Sequence, residues 1–339
     1  MRRIVLVCAF SALTLATGAA DARPDAARSW AAPQIQAVVD EGLLGLSVEG
    51  FRPDDPLTWS EFGTVLGALA VPVQYEDPDR PVTIRELDAG LVTAVGLRVS
   101  ARQIRYAATS AGLAPKASLG TETVARMLGL RVNHPHGQDR RELQLSQPAT
   151  RAEAAYSLAR VLALQPAEID AVRSAAEAFA IPELDAWQQA VLRRALRFVG
   201  SPYVWAGTSE RPQQLGAGLM PGGFDCSGFV WRVYKLEPFA GAPGLADVLQ
   251  GRTTYAMSGE VPRHARVARA GLQPADVVFF GSRGTLSKPA EVGHMGIYLG
   301  NGWMAHSSDR GTTLVPMSGW YETRLAWGRS PLVEAGLSY

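Results

Sequence analysis

The sequence predicts an α+β fold in which helices occupy the first part of the chain and an antiparallel sheet follows. Up to about residue 199, several segments carry apolar residues at helical spacing. Beyond Gly200, short apolar runs alternate with glycine-rich turns, which is typical of strands: PADVVFF, GHMGIYLG, WMAHSS and TTLVPM. We expect an α+β domain over residues 186–339, with a capped helix from Asp185 at its start and its sheet afterwards.

Length and composition indicate a folded protein and argue against nucleic acid as a partner. The chain has 339 residues, enough for one large domain or two ordinary ones. It is 47% hydrophobic and 19% charged, which is usual for globular proteins. The formal net charge is +1 and no long basic run is present, so nothing predicts a nucleic-acid-binding surface.

The first 22 residues have the pattern of a signal peptide. Arg2 and Arg3 precede an apolar stretch at residues 4–16, and Ala20-Asp21-Ala22 is a small-x-small cleavage pattern. The alternative is an uncleaved membrane anchor, although the apolar stretch is shorter than the roughly 20 residues that a span needs. No later stretch is apolar enough to span. We expect cleavage after Ala22 and a secreted or cell-wall location.

Cleavage there would remove Cys8 and leave Cys226 as the one cysteine of the exported chain. Such a cysteine is an intermolecular disulfide partner, a buried spectator or a reactive thiol.

Three segments in the region 23–165 share one helix-start pattern. Each begins T-x-x-E and continues into an apolar, helix-spaced run, with Thr58, Thr83 and Thr150 as the first residues. In a capping box the threonine hydroxyl accepts from the backbone N–H three residues later, and the glutamate accepts from the backbone N–H of the threonine. We therefore predict that helices start at these three threonines. A helical linker at 166–185 follows.

This region resembles S-layer homology repeats. FRPDDPLTWSEF and LQLSQPATRAEAAYSLARVL carry the resemblance, and the copy at Thr150 has the T-R-A-E of that family. The first copy departs from it with Trp59-Ser60, and the second with Ile84-Arg85. The resemblance implies binding of secondary polymers of the bacterial cell wall. The alternative is that these helices only pack together and position the next domain.

The segment GGFDCSGFVWRVYK places Cys226 at a predicted helix start. Asp225 is a good N-cap residue, and an apolar face follows it: Phe229, Val230, Val233 and Tyr234. The helix dipole and the unpaired N–H groups of a first turn stabilise a thiolate, lower its pKa and can form an oxyanion hole. The position is therefore that of a nucleophile.

Two of the five histidines are candidate partners of this thiol. His134 and His136 lie in NHPHG, interpreted as an exposed loop, and His264 lies in a polar stretch. His294 and His306 flank a turn. If residues 300–302 form a three-residue loop, Leu299 pairs with Trp303 and Gly296 with His306.

In that register the two histidines share one face, with α-carbons roughly 7–8 Å apart. The other face carries the core residues: Met295, Ile297, Leu299, Trp303 and Ala305. A two-residue Asn-Gly turn would put the histidines on opposite faces. We predict that His294 is a base and His306 its orienting partner. A Cys-His-His zinc site is the competing interpretation, although the spacing fits no common zinc pattern.

FDCSGFV, GHMGIYLG and GSPYVWAG resemble the signatures of the NlpC family, papain-like cysteine peptidases that cut peptidoglycan stem peptides. The resemblance implies a triad of Cys226, His294 and His306, with no metal or organic cofactor. It also implies that Tyr203 lies beside the thiolate and that three residues help to bind substrate: Tyr203, Asp225 and Ser227. For each of the three, structural capping or packing is the alternative.

Two features depart from the family pattern. Ala206-Gly207 stands where the family has two glycines, and the segment 208–223 is longer than a minimal member needs, so we expect it to be a loop near the groove. The segment GRTTYAM adds weaker candidates for the groove wall: Thr253, Thr254 and Tyr255.

These observations predict a secreted peptidoglycan endopeptidase that cuts a D-glutamyl-type linkage. Three alternatives remain open. The same fold could perform a different acyl transfer or amide cleavage. The protein could be a wall-binding scaffold with a dormant site. Oxidation of Cys226 could link two chains.

Overall fold

The structure is a computed structural model that describes residues 26–135 and 137–337. The predicted signal peptide, Cys8 and His136 lie outside these residues. Within them, no helix is both long and apolar enough to cross a membrane.

The first half of the described chain is built from helices joined by turns. Eight α-helices precede the first strand: α1 (Ala32–Asp40), α2 (Trp59–Ala68), α3 (Ile84–Ala94), α4 (Arg98–Ser110), α5 (Leu119–Met127), α6 (Arg151–Ala163), α7 (Pro166–Ala178) and α8 (Ala186–Leu196). Helix α7 occupies the predicted linker. Helix α8 has Asp185 as its N-cap, as predicted, and ends at Leu196, four residues before Gly200.

The three predicted helix starts are all N-caps, but they are not equivalent. Thr58 and Thr83 form complete capping boxes at the starts of α2 and α3. Thr150 accepts from the backbone N–H of Glu153 at the start of α6, and no reciprocal bond from Glu153 closes a box. The Glu153 carboxylate instead contacts two buried side chains, Arg131 and His134. The capping box at this helix start therefore lacks its glutamate half.

The segments before these three helices close a ring of backbone hydrogen bonds. Leu57 N–H donates to the Ala149 carbonyl, Ala149 N–H to Val82, and Val82 N–H to Leu57, each at 2.8 Å. All three residues are buried. The ring satisfies backbone groups that would otherwise be buried without partners. The sequence similarity of the three segments therefore corresponds to an approximate threefold arrangement of the backbone.

The second half of the described chain contains two short strand pairs, one five-stranded sheet and five α-helices. Two short pairs come first: β1 (Thr208–Ser209) with β4 (Gly223–Phe224), and β2 (Gln213–Leu215) with β3 (Gly218–Met220). The remaining helices are α9 (Cys226–Tyr234), α10 (Leu245–Val248), α11 (Thr254–Gly259), α12 (Trp320–Arg324) and α13 (Pro331–Glu334).

A five-stranded antiparallel sheet forms the centre of this half. Its strands are β5 (Val277–Gly281), β6 (Val292–Gly300), β7 (Trp303–Ser308), β8 (Gly311–Pro316) and β9 (Leu325–Arg329), in the order β8-β7-β6-β5-β9. The four predicted strands correspond to β5 to β8. Strand β9 was not predicted. Helix α9 packs on β6 and β7, which brings the predicted nucleophile helix to the strands that carry the two histidines.

The β6–β7 turn differs from the prediction at its tip and agrees with it at the histidines. Gly300, rather than Leu299, pairs with Trp303, so the turn has two residues, Asn301 and Gly302. A bulge between Tyr298 and Gly300 then takes up one residue and restores the predicted register at Tyr298 and Met304. The prediction that a two-residue turn would separate the histidines is therefore wrong, because it left out the bulge.

The helical half contacts the sheet half close to the predicted site. The Arg126 guanidinium donates to the Gly200 carbonyl at 2.8 Å, and Arg310 donates to the Arg126 carbonyl at 3.1 Å. The Asn133 N–H donates to the Asp309 carbonyl at 2.5 Å. Asp309 and Arg310 connect β7, which carries His306, to β8. The helical half therefore braces the backbone on one side of the histidine strand.

The segment 208–223, predicted as a loop near the groove, contains both short strand pairs. Glu210 forms an ion pair with Arg232 of α9 at 2.9 Å. The Gln144 side chain donates to the Gly222 carbonyl, which joins the segment to the helical half. These contacts fix the segment between α9 and the helical half.

The prediction that His134 lies in an exposed loop is wrong. Its ring is buried between two carboxylates, with Nδ1 2.9 Å from Glu142 and Nε2 2.7 Å from Glu153. An edge-on contact with Trp30 closes a third side, at 4.4 Å between ring centroids. Burial lowers the pKa of His134, but the hydrogen bonds that its ring donates to both carboxylates outweigh burial and raise the pKa to about 9. The sequence NHPHG gave no sign of acidic partners that lie elsewhere in the chain.

Candidate active site

Cys226 is the first residue of α9, directly after the N-cap Asp225. The Asp225 carboxylate accepts from the backbone N–H of Gly228 and, at 2.8 Å, from the Ser227 hydroxyl. The predicted N-cap is therefore confirmed. The four predicted apolar residues of α9 are all buried, which fixes the helix on the sheet and its first turn at the site.

Gly228 shows why this helix start needs a glycine. A Cβ atom added at Gly228 would lie 1.8 Å from the Gly207 carbonyl oxygen, far inside any allowed contact. The first turn of α9 therefore packs directly on the backbone of the turn that follows Trp205. The glycine of the FDCSG segment is needed for this close approach.

The Cys226 thiol is partly buried and contacts two elements besides its own helix. Its Sγ atom lies 3.6 Å from the Thr254 hydroxyl of α11. The backbone N–H of Met295, the residue after His294 on β6, also lies close enough to favour the thiolate. Burial outweighs these groups and, with the nearby Asp225 carboxylate, raises the pKa of Cys226 above its ordinary value. The prediction of a lowered pKa counted the helix start and left out this burial.

The two histidines face each other, as the strand register predicts. Nε2 of His294 lies 2.8 Å from Nδ1 of His306, and the ring planes are nearly perpendicular at 87°. His306 is buried and His294 is half-buried. One ring nitrogen of His294 is thus engaged by His306, which leaves Nδ1 of His294 for another partner.

Aromatic rings surround the histidine pair. Phe280 lies 5.8 Å from His294, and Trp320 of α12 lies 6.2 Å from it, measured between ring centroids. Tyr321 contacts both histidines. Burial in this setting lowers the pKa of His294 to about 4. Burial, followed by the proximity of His294, lowers the pKa of His306 well below its ordinary value. Both imidazoles are therefore neutral at neutral pH.

Two neutral imidazoles share one proton across the 2.8 Å contact. If Nε2 of His294 donates to Nδ1 of His306, then Nδ1 of His294 keeps a lone pair and can accept a proton. In that tautomer His306 carries its proton on Nε2, which is buried and has no hydrogen-bond partner among the described residues. This arrangement gives His294 the form that a general base requires.

Tyr203 lies close enough to Cys226 for the thiolate charge to act on its phenol. Burial, then the charges of Cys226 and Asp225, raise the pKa of Tyr203 well above its ordinary value, so the phenol stays protonated. The position beside the thiol agrees with what the family resemblance implies. Whether Tyr203 binds substrate stays a prediction.

Asp225 and Ser227 bind each other and an arginine that the sequence did not single out. Arg252 donates to the Ser227 hydroxyl at 2.7 Å and to the Ala206 carbonyl at 3.0 Å, and its guanidinium lies 3.4 Å from Asp225. Nothing in GRTTYAM pointed to this role, because the three partners lie in distant segments. The predicted substrate-binding role of Asp225 and Ser227 stays a prediction beside this structural one.

Within the described residues, no group of three His, Cys, Asp or Glu side chains is arranged to hold a metal ion. The packing of α9 on β6 and β7 brings a thiol at a helix start and a pair of imidazoles into one region of the fold.

Residues 200–328 match the sequence model of the NlpC/P60 family. A probable endopeptidase of Mycobacterium tuberculosis is 35% identical over 130 residues, which cover 38% of this chain and 26% of that protein. A gamma-D-glutamyl-L-lysine dipeptidyl-peptidase of Bacillus cereus is 32% identical over 36% of this chain and 29% of that protein. The peptidoglycan endopeptidase RipA of Mycobacterium tuberculosis is 32% identical over 36% of this chain and 22% of that protein.

Among solved structures, an NlpC/P60 family protein of Bacillus cereus is 26% identical, covers 46% of this chain and 43% of its own, and has a TM-score of 0.32. The chain matches between 22% and 29% of the length of the three curated relatives described above. The family match falls on the sheet half, and α9 and both histidines lie inside residues 200–328. Residues 200–328 therefore form an NlpC/P60 domain, and its relatives are named endopeptidases.

Proposed function

We propose that this chain is a secreted peptidoglycan endopeptidase that cuts stem-peptide amide bonds by a Cys226–His294–His306 triad. The observation that carries the proposal is the 2.8 Å contact between the histidines on strands that pack against the capped start of α9. A thiol, a base with a free lone pair and a residue that orients the base are the groups that thiol acyl transfer needs.

In the first step, Nδ1 of His294 takes the proton of the Cys226 thiol as Sγ attacks the carbonyl carbon of the scissile amide. The C–S bond forms and the carbonyl oxygen becomes an oxyanion. The backbone N–H groups at the start of α9 stabilise that charge, since the first N–H groups of a helix lack intrahelical acceptors. His294 then gives its proton to the leaving nitrogen, and the C–N bond breaks.

Water completes the cycle. His294 takes a proton from a water molecule whose oxygen attacks the thioester carbon, and the C–S bond breaks. The proton returns to Sγ, and the peptide leaves as a carboxylic acid. His306 takes no part in these proton transfers. It holds Nε2 of His294, which keeps Nδ1 of the same ring directed at the reacting atoms.

The resting site starts as a neutral thiol and a neutral imidazole. Burial raises the pKa of Cys226 and lowers that of His294 to about 4, so both directions oppose a preformed ion pair. Charge separation therefore accompanies substrate binding and attack. This resting state differs from the stabilised thiolate with a lowered pKa that the helix start alone led us to expect.

A linkage after a D-glutamyl-type residue is the substrate that we propose. The name of the Bacillus cereus relative, a gamma-D-glutamyl-L-lysine dipeptidyl-peptidase, supports this choice. RipA, named a peptidoglycan endopeptidase, supports the polymer class. The predicted signal peptide supports export to the wall where that polymer lies.

We also propose that the helical half binds the cell wall through its S-layer homology-like repeats. The closed ring of Leu57, Val82 and Ala149 supports three related units. The contacts of Arg126 and Asn133 with the sheet half favour a second role, which is to brace the catalytic backbone. The two roles are compatible, because the brace uses the face toward the sheet.

The test is a muropeptide digest. Purified peptidoglycan is incubated with the mature protein or with its Cys226→Ala variant, and the products are read by mass spectrometry. We expect new peptide fragments from the unmodified protein alone, with masses that place the cut after D-glutamate. Absence of fragments from both proteins, while Cys226 still reacts with an alkylating probe, would exclude this substrate and favour another acyl donor.

Wall binding is tested with the inactive Cys226→Ala chain at full length, so that cleavage does not release it. We expect it to sediment with intact walls and to stay in solution with walls stripped of secondary polymers. Equal sedimentation with both would show that peptidoglycan alone holds the chain, and no sedimentation with either would contradict wall anchoring.

A further inference from the structure

We propose that Thr254 is a further catalytic residue, whose hydroxyl donates a hydrogen bond to the Cys226 thiolate during catalysis. The catalytic consequence depends on the proposed peptidase function, whereas the contact itself does not. The family resemblance assigned no role to this residue, and the sequence offered it only as a weak candidate for the groove wall.

The geometry directs the hydroxyl at the reacting atom. Oγ1 of Thr254 lies 3.6 Å from Sγ of Cys226, and the residue is 8% exposed. Across the described residues, the thiol is the one hydrogen-bond partner found for this hydroxyl. Because the hydroxyl is buried and has that single partner, its role as donor or acceptor depends on the protonation state of the sulfur.

Thr254 is not needed for the helix cap at this position. The neighbouring Thr253 is the N-cap of α11, and its hydroxyl accepts from the Ala256 N–H at 3.3 Å. Thr254 is the first residue of the helix itself. Thr253 therefore bonds to the backbone and Thr254 to the sulfur. A Thr253 variant is the matched control for a Thr254 variant.

The protonation state of the sulfur determines which atom of this contact donates the hydrogen bond. In the thiol form either atom of the contact can be the donor. Once His294 has taken the thiol proton, the sulfur can only accept, so Thr254 must donate. Thr254 keeps its own proton throughout, and the bond weakens again when the C–S bond forms and the sulfur loses its charge.

This donor matters because the site otherwise opposes the thiolate. Burial and the Asp225 carboxylate both disfavour negative charge on Cys226, whereas the Thr254 hydroxyl and the backbone N–H groups of Met295 and Ser227 favour it. Thr254 is the side-chain donor in that set. Removing a hydrogen bond to a charged group shifts a pKa by about one unit. The Thr254→Val variant, which keeps the shape and loses the hydroxyl, should therefore raise the pKa of Cys226 by about one unit.

The experiment measures alkylation of Cys226 by iodoacetamide from about pH 6 to about pH 11, a range that brackets the ordinary thiol pKa. Full-length protein is used with four variants: Thr254→Val, Thr254→Ala, Thr254→Ser and Thr253→Val. Thiolate nucleophilicity rises with pKa with a Brønsted coefficient of about 0.4–0.5, so a tenfold loss of thiolate is partly offset. We expect Thr254→Val to react about 3-fold more slowly near pH 7 and about 3-fold faster at the alkaline plateau.

Opposite changes at the two ends of the pH range identify a shifted pKa, since altered access to the sulfur would move both rates in one direction. Thr254→Ala should repeat the shift, Thr254→Ser should restore the original profile, and Thr253→Val should keep the original pKa. An unchanged pKa in both Thr254→Val and Thr254→Ala would overturn the proposal, as would an equal shift in Thr253→Val.

Alkylation needs no peptidoglycan, so the two proposals fail separately. A shifted pKa together with an inactive wild-type digest would retain the thiolate contact and reject the peptidase function. An active wild-type digest together with an unshifted pKa would retain the peptidase and reject the role of Thr254.

Discussion

Nε2 of His294 lies 2.8 Å from Nδ1 of His306, across two neighbouring antiparallel strands. The contact occupies Nε2 of His294, and among residues 26–135 and 137–337 no hydrogen-bond partner is found for Nδ1 of the same ring. In the proposed triad it therefore sets which nitrogen of His294 would act on the thiol, through the position of a single acceptor atom on His306.

The position of Nδ1 of His306 predicts how strongly different substitutions of this residue lower kcat. The side-chain oxygen of asparagine occupies nearly the same position as Nδ1 of histidine, whereas that of glutamine reaches further, and leucine offers no acceptor. We expect His306→Asn to keep kcat within about 10-fold, His306→Leu to lose about 100-fold, and His306→Gln to lie between them. Rates of muropeptide release measure this. Equal losses in all three variants would contradict an orienting role.

The acid limb of the pH–activity profile should lie unusually low. A general base must be unprotonated, and burial lowers the pKa of His294 to about 4. We therefore expect kcat/KM to stay level as the pH falls below 6.5, the ordinary value, and to fall only as it passes through about 4. Initial rates on two synthetic stem peptides with different numbers of carboxyl groups would separate enzyme titration from substrate titration.

A variant of Trp320 tests whether burial causes the low acid limb. The Trp320 ring contacts His294 at 6.2 Å between centroids and is itself 53% exposed, so its removal should admit water to the histidine with little effect on folding. Trp320→Ala should move the acid limb upward, toward the ordinary histidine value. An acid limb near pH 6.5 in the unmodified protein would show that burial does not control the base.

His134 should make the helical half less stable as the pH rises. Its pKa of about 9 when folded exceeds its ordinary value of 6.5, so the folded state holds a proton that the unfolded state has lost between those values. The stabilisation is thus complete below pH 6.5 and disappears toward pH 9, a change of roughly 3 kcal/mol in the free energy of unfolding. Glu122, whose pKa is raised to about 8 by burial and by Asp88, changes stability in the same direction from pH 4.5 upward.

Urea unfolding at several pH values measures this slope. His134→Gln should lower stability by about 3 kcal/mol near pH 6, since two buried carboxylates lose their charged partner. It should also flatten the decline toward pH 9. His264→Gln, at an exposed position, is the control and should keep the original slope. A His134→Gln slope equal to that of the unmodified protein would contradict the assignment.

The parts of the molecule that sequence reasoning predicted are those that local chemistry determines. Helix starts at Thr58, Thr83, Thr150 and Asp225 follow from side chains that bond to backbone two or three residues away. The shared face of the two histidines follows from strand alternation, because a local bulge restored the register.

The parts that were missed depend on contacts between distant segments. Arg252 meets Ser227 and Ala206 across 25 and 46 positions of sequence, and Thr254 meets Cys226 across 28. The interpretation of His134 as a surface residue is wrong because its partner Glu153 lies in α6, outside the local segment NHPHG. The thiol pKa was misjudged for the same reason, since the groups that bury Cys226 are not its sequence neighbours.

Ala206 offers a test of a departure from the family pattern. The family has glycine here, and the structure gives Ala206 a φ of +60°, in the left-handed region that disfavours a Cβ atom. Its carbonyl accepts from Arg252, and the next residue packs against Gly228, so the turn cannot relax to another conformation. Ala206→Gly should therefore raise the free energy of unfolding by about 1 kcal/mol, because the relief of strain exceeds the added entropy of the unfolded chain.

Ala190 in the middle of α8 is the opposite case and serves as its control. There the backbone is helical, so Ala190→Gly should lower the free energy of unfolding by about 1 kcal/mol. The urea midpoints of the two variants should thus move in opposite directions from that of the unmodified protein. If both moved downward, the turn at Ala206 would not be strained, and the alanine there would stabilise the fold relative to the family glycine.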